Sequence, residues 1–233
     1  MNKYYIRGIQ QIGIGVQDVD VAWKWYRENF DANIKVFDDD KTADFMLRYT
    51  GGKPQRRRAI MAINLQGGGG FEIWQYKGRK PQAPKFTIQL GDYGIFAAKI
   101  KSPNVSKAHE KFKKQGEKIS DITQTPNGTP YFWIQDPFGN YFQIIENKTM
   151  FRNEKSATGL SCGAVIGVPD IEEAKKVYTN IIGYDVVEYT TEEKVHDDFA
   201  FVPGGDSSFK RIVLSHSEVR EGGFGKLYGP STI

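Results

Sequence analysis

The chain has 233 residues, 39% of them hydrophobic and 26% charged, the make-up of a globular protein with room for one large domain or two small ones. No run approaches the roughly 18 uninterrupted apolar residues of a membrane-crossing helix, and the opening MNKYYIRGIQ lacks the apolar core of a secretory signal, so the reading is a soluble, cytoplasmic protein with no membrane partner. A net charge of +4 spread over 32 basic and 28 acidic residues argues against a nucleic-acid partner, and the single Cys162 excludes an internal disulfide and a cysteine-rich zinc site.

The first predicted element is a short apolar strand from Ile12, followed by Asp18, a side chain suited to cap a helix. Val19, Ala22, Trp23, Tyr26 and Phe30 then recur at helical spacing, which makes these aromatics core residues. Strands follow at IKVF, RAIMAINL and FEIWQY, the last two joined by Gly67 to Gly70. That glycine run lacks the Lys, the Ser/Thr and the helix of a phosphate loop and reads as a hairpin turn. Gln55 to Arg58, beside Gly51, Gly52 and Pro54, reads as a solvated basic loop.

From Phe96 the same order returns: a strand, the cap Asn104, a helix carrying Val105, Ala108 and Phe112, then YFWIQ and NYFQIIE around a turn from Asp136 to Asn140. It returns again from Ala164, with Ile171, Ala174, Val177, Tyr178 and Ile181 at helical spacing and Glu173 placed to complete a capping box with Asp170. Asp18, Ala22 and Tyr26 match Asp170, Ala174 and Tyr178 at an offset of 152, and Asn104 follows Asp18 by 86. The chain is therefore an α+β protein of repeated βαβββ modules. Modules one and two are expected to pair over residues 1–148, and an incomplete third module to occupy residues 157–233 after a polar link.

A threefold βαβββ pattern, a strand ending in V-x-D before an A-x-x-F/Y helix, and a last hairpin written DPFGN followed by YFQIIE together resemble the vicinal oxygen chelate superfamily, which holds glyoxalase I, extradiol dioxygenases and bleomycin-resistance proteins. The resemblance implies that two modules curve into an open barrel around a divalent metal, Fe, Mn, Ni or Zn, held by first- and last-strand side chains. Carried over by strand parity, the ligand positions are Gln11, Glu72, Ile95 and Gln143. One carboxylate, two amides and an aliphatic side chain make a poor donor set, which favours a first barrel without metal. His109, His196 and His216 reach none of these positions.

The same parity turns Gly13, Lys99, Trp74 and Tyr141 into that barrel, small and aromatic walls with few charges, as in pockets for small molecules. Two functions of different class follow. The first is a metal-dependent lyase or dioxygenase with Glu72 as ligand or catalytic base and Gln11 and Gln143 as auxiliary ligands. The second is a metal-free protein that sequesters a small planar or aromatic ligand between Trp74 and Tyr141, and a purely structural barrel is the third possibility. In a family that pairs modules, an odd count and an ending GPSTI, where a strand like FEIW is due, give the expectation of a shortened chain whose missing part carries a fourth module. A third module without a partner also makes a homodimer possible.

Overall fold

In the computed structural model, residues 8–45, 47–217 and 231–233 are described; residues 1–7, read above for a signal, and most of the segment before Ser231 lie outside them. Strand β1 (Gln11–Gly15) ends ahead of Asp18, whose carboxylate accepts from the Asp20 and Val21 amides at 3.0 Å each and so starts helix α1 (Val19–Phe30). The helix stops where Asp31 turns left-handed, φ 54°. Strands β2 (Ile34–Ala43), β3 (Gln55–Ile63) and β4 (Gly70–Tyr76) complete module one, in the order β1-β4-β3-β2 with β1 parallel to β4. Gln55 to Arg58 is not the expected loop but the first part of β3. Its cations lie across from the acids of β2, Arg58 bonding Asp38 and Asp20 and Arg56 bonding Asp40, and this charge ladder carries both strands past their apolar segments.

Module two runs β5 (Gly94–Ser102), α2 (Val105–Gln115), β6 (Lys118–Ile119), β7 (Thr123–Gln124), β8 (Pro130–Gln135) and β9 (Tyr141–Glu146), with Asn104 accepting from the Lys107 amide at 2.9 Å. Module three runs β10 (Ser161–Gly167), α3 (Ile171–Val177), a wider turn over Tyr178–Ile182, then β11 (Val186–Thr190), β12 (Lys194–Val195), β13 (Ser208–Phe209) and β14 (Ile212–Ser215). Asp170 caps α3 through the Glu172 and Glu173 amides, whereas the Glu173 carboxylate is engaged by Lys176.

The pairing of modules differs from the expectation. β10 lies antiparallel to β5 in one sheet ordered β10-β5-β9-β8-β6, while the module-one sheet stands apart. Between the two sheets lies one core: Ile14, Ile60, Phe71 and Ile73 from the first, Ile100, Phe132, Phe142 and Ile144 from the second, and Val19, Tyr26, Phe30, Val105 and Phe112 from both helices. Modules one and two are thus joined through their helix sides. The opposite face of module two packs on module three through Ala97, Tyr131, Trp133, Phe199 and Val202. The protein is mixed α+β, and among the described residues its sheets form no closed barrel. Strand parity told which residues share a face but not which module covers it.

The segment expected as a polar link is tied down. Asn64 donates to Phe30 O and Thr158 O at 2.9 and 3.1 Å, Gln66 donates to Ser156 O at 2.7 Å, and the Gly159 amide donates to Lys101 O at 2.8 Å. The glycine run makes this possible: a Cβ on Gly67 would stand 2.0 Å from Gly159 O, and one on Gly69 2.4 Å from Ser161 O.

Candidate functional site

The expected site residues fall on two surfaces separated by the shared core. On the open face of module one, β1 and β4 bring Gln11 and Glu72 together, the amide donating to the carboxylate at 3.1 Å. Trp74 is on the same face, its indole Nε1 standing 3.7 Å from where a Gly13 Cβ would be, so the bare backbone of Gly13 leaves space for the ring. Lys99, Tyr141 and Gln143 lie on the other side, facing module three. The expected Trp74–Tyr141 pocket and the expected quartet of ligands are therefore not assembled.

The sheet register also corrects one position. Glu72 pairs with Gly13 across β4 and β1, and Gln143 pairs with Lys99 across β9 and β5. Lys99 is thus the counterpart of Gly13, and the counterpart of Gln11 is Ala97, opposite Tyr141 as Gln11 is opposite Gly70. Ile95 sits earlier in the strand, paired with Ile166 and 62% exposed. In module three, Thr232 bridges Gly163 in parallel as Gly70 bridges Gln11, and its carbonyl would be 1.9 Å from a Cβ on Gly163.

The described residues do not fit a divalent metal on either surface. Module one offers one carboxylate and one amide, too few for a stable three- or four-donor site. On the other surface the group beside Gln143 is an ammonium, which repels a cation. Among the described residues no three His, Cys, Asp or Glu side chains cluster closely enough to hold a metal ion. The histidines are occupied elsewhere: His109 Nε2 at 2.9 Å from Ser120 O, His196 Nε2 at 2.9 Å from Phe209 O, and His216 with its ring 4.0 Å from that of Tyr184.

What modules two and three do enclose is a cavity of about 240 Å³. Leu90, Val165, Ile166, Phe199 and Phe209 give it apolar walls, and Lys99, Gln143 and Arg211 supply polar groups. Lys99 is 5% exposed, its Nζ donates to Thr232 Oγ1 at 3.2 Å, and burial lowers its pKa to about 8. Gln143 is 3% exposed, and its Oε1 has no hydrogen-bond partner among the described residues. Arg211 Nη1 bonds both oxygens of Asp198 at 2.9 and 2.8 Å, and its guanidinium lies 4.0 Å from the Phe199 ring centre. Tyr131 Oη donates to Asp198 Oδ2 at 2.7 Å, and burial with the adjacent carboxylate drives that phenol well above its ordinary pKa. Sequence reasoning missed Arg211, Asp198 and Phe199, because an Asp in a polar turn and an Arg before a strand look like surface residues.

Comparisons with known proteins bear on this architecture. The family model Glyoxalase/Bleomycin resistance protein/Dioxygenase superfamily matches residues 8–144. A candidate dioxygenase from Bacillus subtilis is similar in structure, with 15% identity and a TM-score of 0.58 over 90% of this chain and 64% of that one. A glyoxalase family protein from Bacillus cereus shows 16% identity and a TM-score of 0.50 over 63% of this chain and 97% of that one. A mutant glyoxalase I from Zea mays shows 18% identity and a TM-score of 0.50 over 89% and 68%. This chain thus spans less than two thirds of the Bacillus subtilis protein, and at such identities the likeness is one of fold. No curated protein sequence matches the chain. With the model spanning modules one and two and the fold shared with these structures, the chain belongs to the Glyoxalase/Bleomycin resistance protein/Dioxygenase superfamily.

Proposed function

We propose that this chain binds a small organic molecule in the cavity between modules two and three, and does so without a divalent metal. The observation that carries the reading is the pairing of Lys99 with Gln143 on adjacent strands of an otherwise apolar cavity. A few polar groups set in apolar walls orient a small ligand. An ammonium at that spot opposes a metal cation by simple charge repulsion. Calorimetric titration with a panel of small aromatic and aliphatic compounds, before and after dialysis against EDTA, tests this. Binding of equal affinity in both preparations is expected; binding that appears only with added Mn, Fe(II), Ni or Zn overturns it.

The contact between Gln11 and Glu72 favours a second reading, a metal-dependent lyase or dioxygenase on the module-one face with Glu72 as ligand or base. That reading needs donors beyond these two side chains. Metal content by mass spectrometry on wild type and Glu72→Ala decides between them. Stoichiometric metal that disappears in Glu72→Ala selects the second reading.

A further inference from the structure

Lys99 poses an electrostatic problem that its surroundings leave open. Its stem runs over the bare backbone of Gly163, where a Cβ would stand 3.1 Å from Lys99 Cδ, and among the described residues its ammonium donates to a neutral hydroxyl, Thr232 Oγ1. Buried charges in proteins are paired or neutralised, since taking an ion out of water without a counter-charge is costly.

Among the described residues, no carboxylate lies close enough to Lys99 to form an ion pair with it. Cys162 on β10 is a neutral thiol at neutral pH, because burial pushes its pKa up to about 11. Glu188 on β11 attracts the ammonium through space, the weakest of the influences on it, and its carboxylate is engaged by Ser215 Oγ. Arg211 adds a second positive charge to the neighbourhood, and it is already held by both oxygens of Asp198. Among the described residues that line the cavity there is no Asp or Glu, whereas Lys99, Lys175, Lys210 and Arg211 all contribute.

We infer that the cavity between modules two and three is an anion site, taking a small carboxylate whose charged end sits on Lys99 Nζ and whose apolar body lies against Leu90, Val165 and Phe199. This rests on the metal-free binding reading and adds the chemical class of the ligand. The unpartnered Gln143 Oε1 next to Lys99 assigns a further feature: a hydroxyl or amine near the carboxylate would donate to it. A pKa of about 8 leaves most Lys99 side chains charged at pH 7, so the site is armed at neutral pH.

The test is calorimetric titration of the whole chain at pH 7 with phenylacetate and with its neutral isostere phenylacetamide, on wild type and Lys99→Met. Wild type is expected to bind the carboxylate at least tenfold more tightly than the amide, and Lys99→Met to lose that preference. Equal affinity of wild type for both compounds overturns the anion assignment and leaves the binding reading standing. Binding of neither compound overturns both. A carboxylate preference that survives Lys99→Met also overturns the assignment, and if that variant does not fold, the contrast between the two compounds on wild type still decides.

Discussion

Tyr26 Oη donates to Asp136 Oδ2 at 2.6 Å, so the helix of module one is fastened to the last turn of module two. The same carboxylate organises that turn, accepting from the Phe138 and Asn140 amides at 2.9 and 2.8 Å. Burial raises the pKa of Asp136 and drives the Tyr26 phenol well above its ordinary value. Tyr26→Phe is expected to destabilise the protein by about 1.5–3 kcal/mol, the cost of removing a hydrogen bond to a charged group. Urea denaturation followed by tryptophan fluorescence measures it, and an unchanged midpoint would show that the two modules are not fastened at this point.

Breaking the Arg211–Asp198 pair should cost more. Both side chains are close to 90% buried, at 9% and 11% exposure, and one guanidinium nitrogen, Nη1, donates to both carboxylate oxygens. Asp198→Asn strands the guanidinium without its charge partner, for which about 3–5 kcal/mol is expected. A double-mutant cycle with Arg211→Met recovers part of the loss, because the variant pair removes both charges together.

Lys99 gives the pH dependence. Its folded pKa of about 8 lies below the ordinary lysine value of 10.5, so between those two values the unfolded chain holds a proton that the folded chain has released. Stability contributed by this group therefore rises with pH across that window. Lys99→Met lacks the buried charge and should be more stable than wild type below pH 8 in the absence of ligand. The gap narrows as the pH rises from there, and thermal melts of both proteins in a buffer series from neutral to alkaline follow it.

Glycine positions supply a steric control. Gly67→Ala drives a methyl group into the backbone of Gly159, an overpacking expected to cost at least about 1–3 kcal/mol. Gly15→Ala meets nothing within 4 Å and should melt within about a degree or two of wild type, a surface change of a few tenths of a kcal/mol. Equal losses in the two variants would refute the close approach.

The elements were legible in the sequence because capping residues and helical spacing are local. Asp18, Asn104 and Asp170 each mark the start of a helix, and all three accept bonds from the first free amides. The site was only half legible. Parity put Glu72 opposite the core face and Lys99 and Gln143 together, but which surface covers them depends on how distant strands meet, and nothing in IGIG or FAAKI encodes that β5 joins β10. Distance from a strand end selects Ile95, whereas the register with Glu72 and Gln143 makes Ala97 the counterpart of Gln11. Asp198 and Arg211 are 13 residues apart, and their burial follows from the contact they make with each other, which no local pattern of the sequence specifies.

The strap from Asn147 to Leu160 has a consequence for how the molecule is taken apart. Its amides and side chains are shared between Gln66, Asn64 and the last residues of β5, so a protease that prefers slack, extended backbone finds none in the buried stretch around Thr158. Its amide protons, at Gly159 above all, should exchange with deuterium as slowly as those of the neighbouring strands. Any handle for swapping, trimming or transplanting module three as a separate piece would have to avoid this buried stretch.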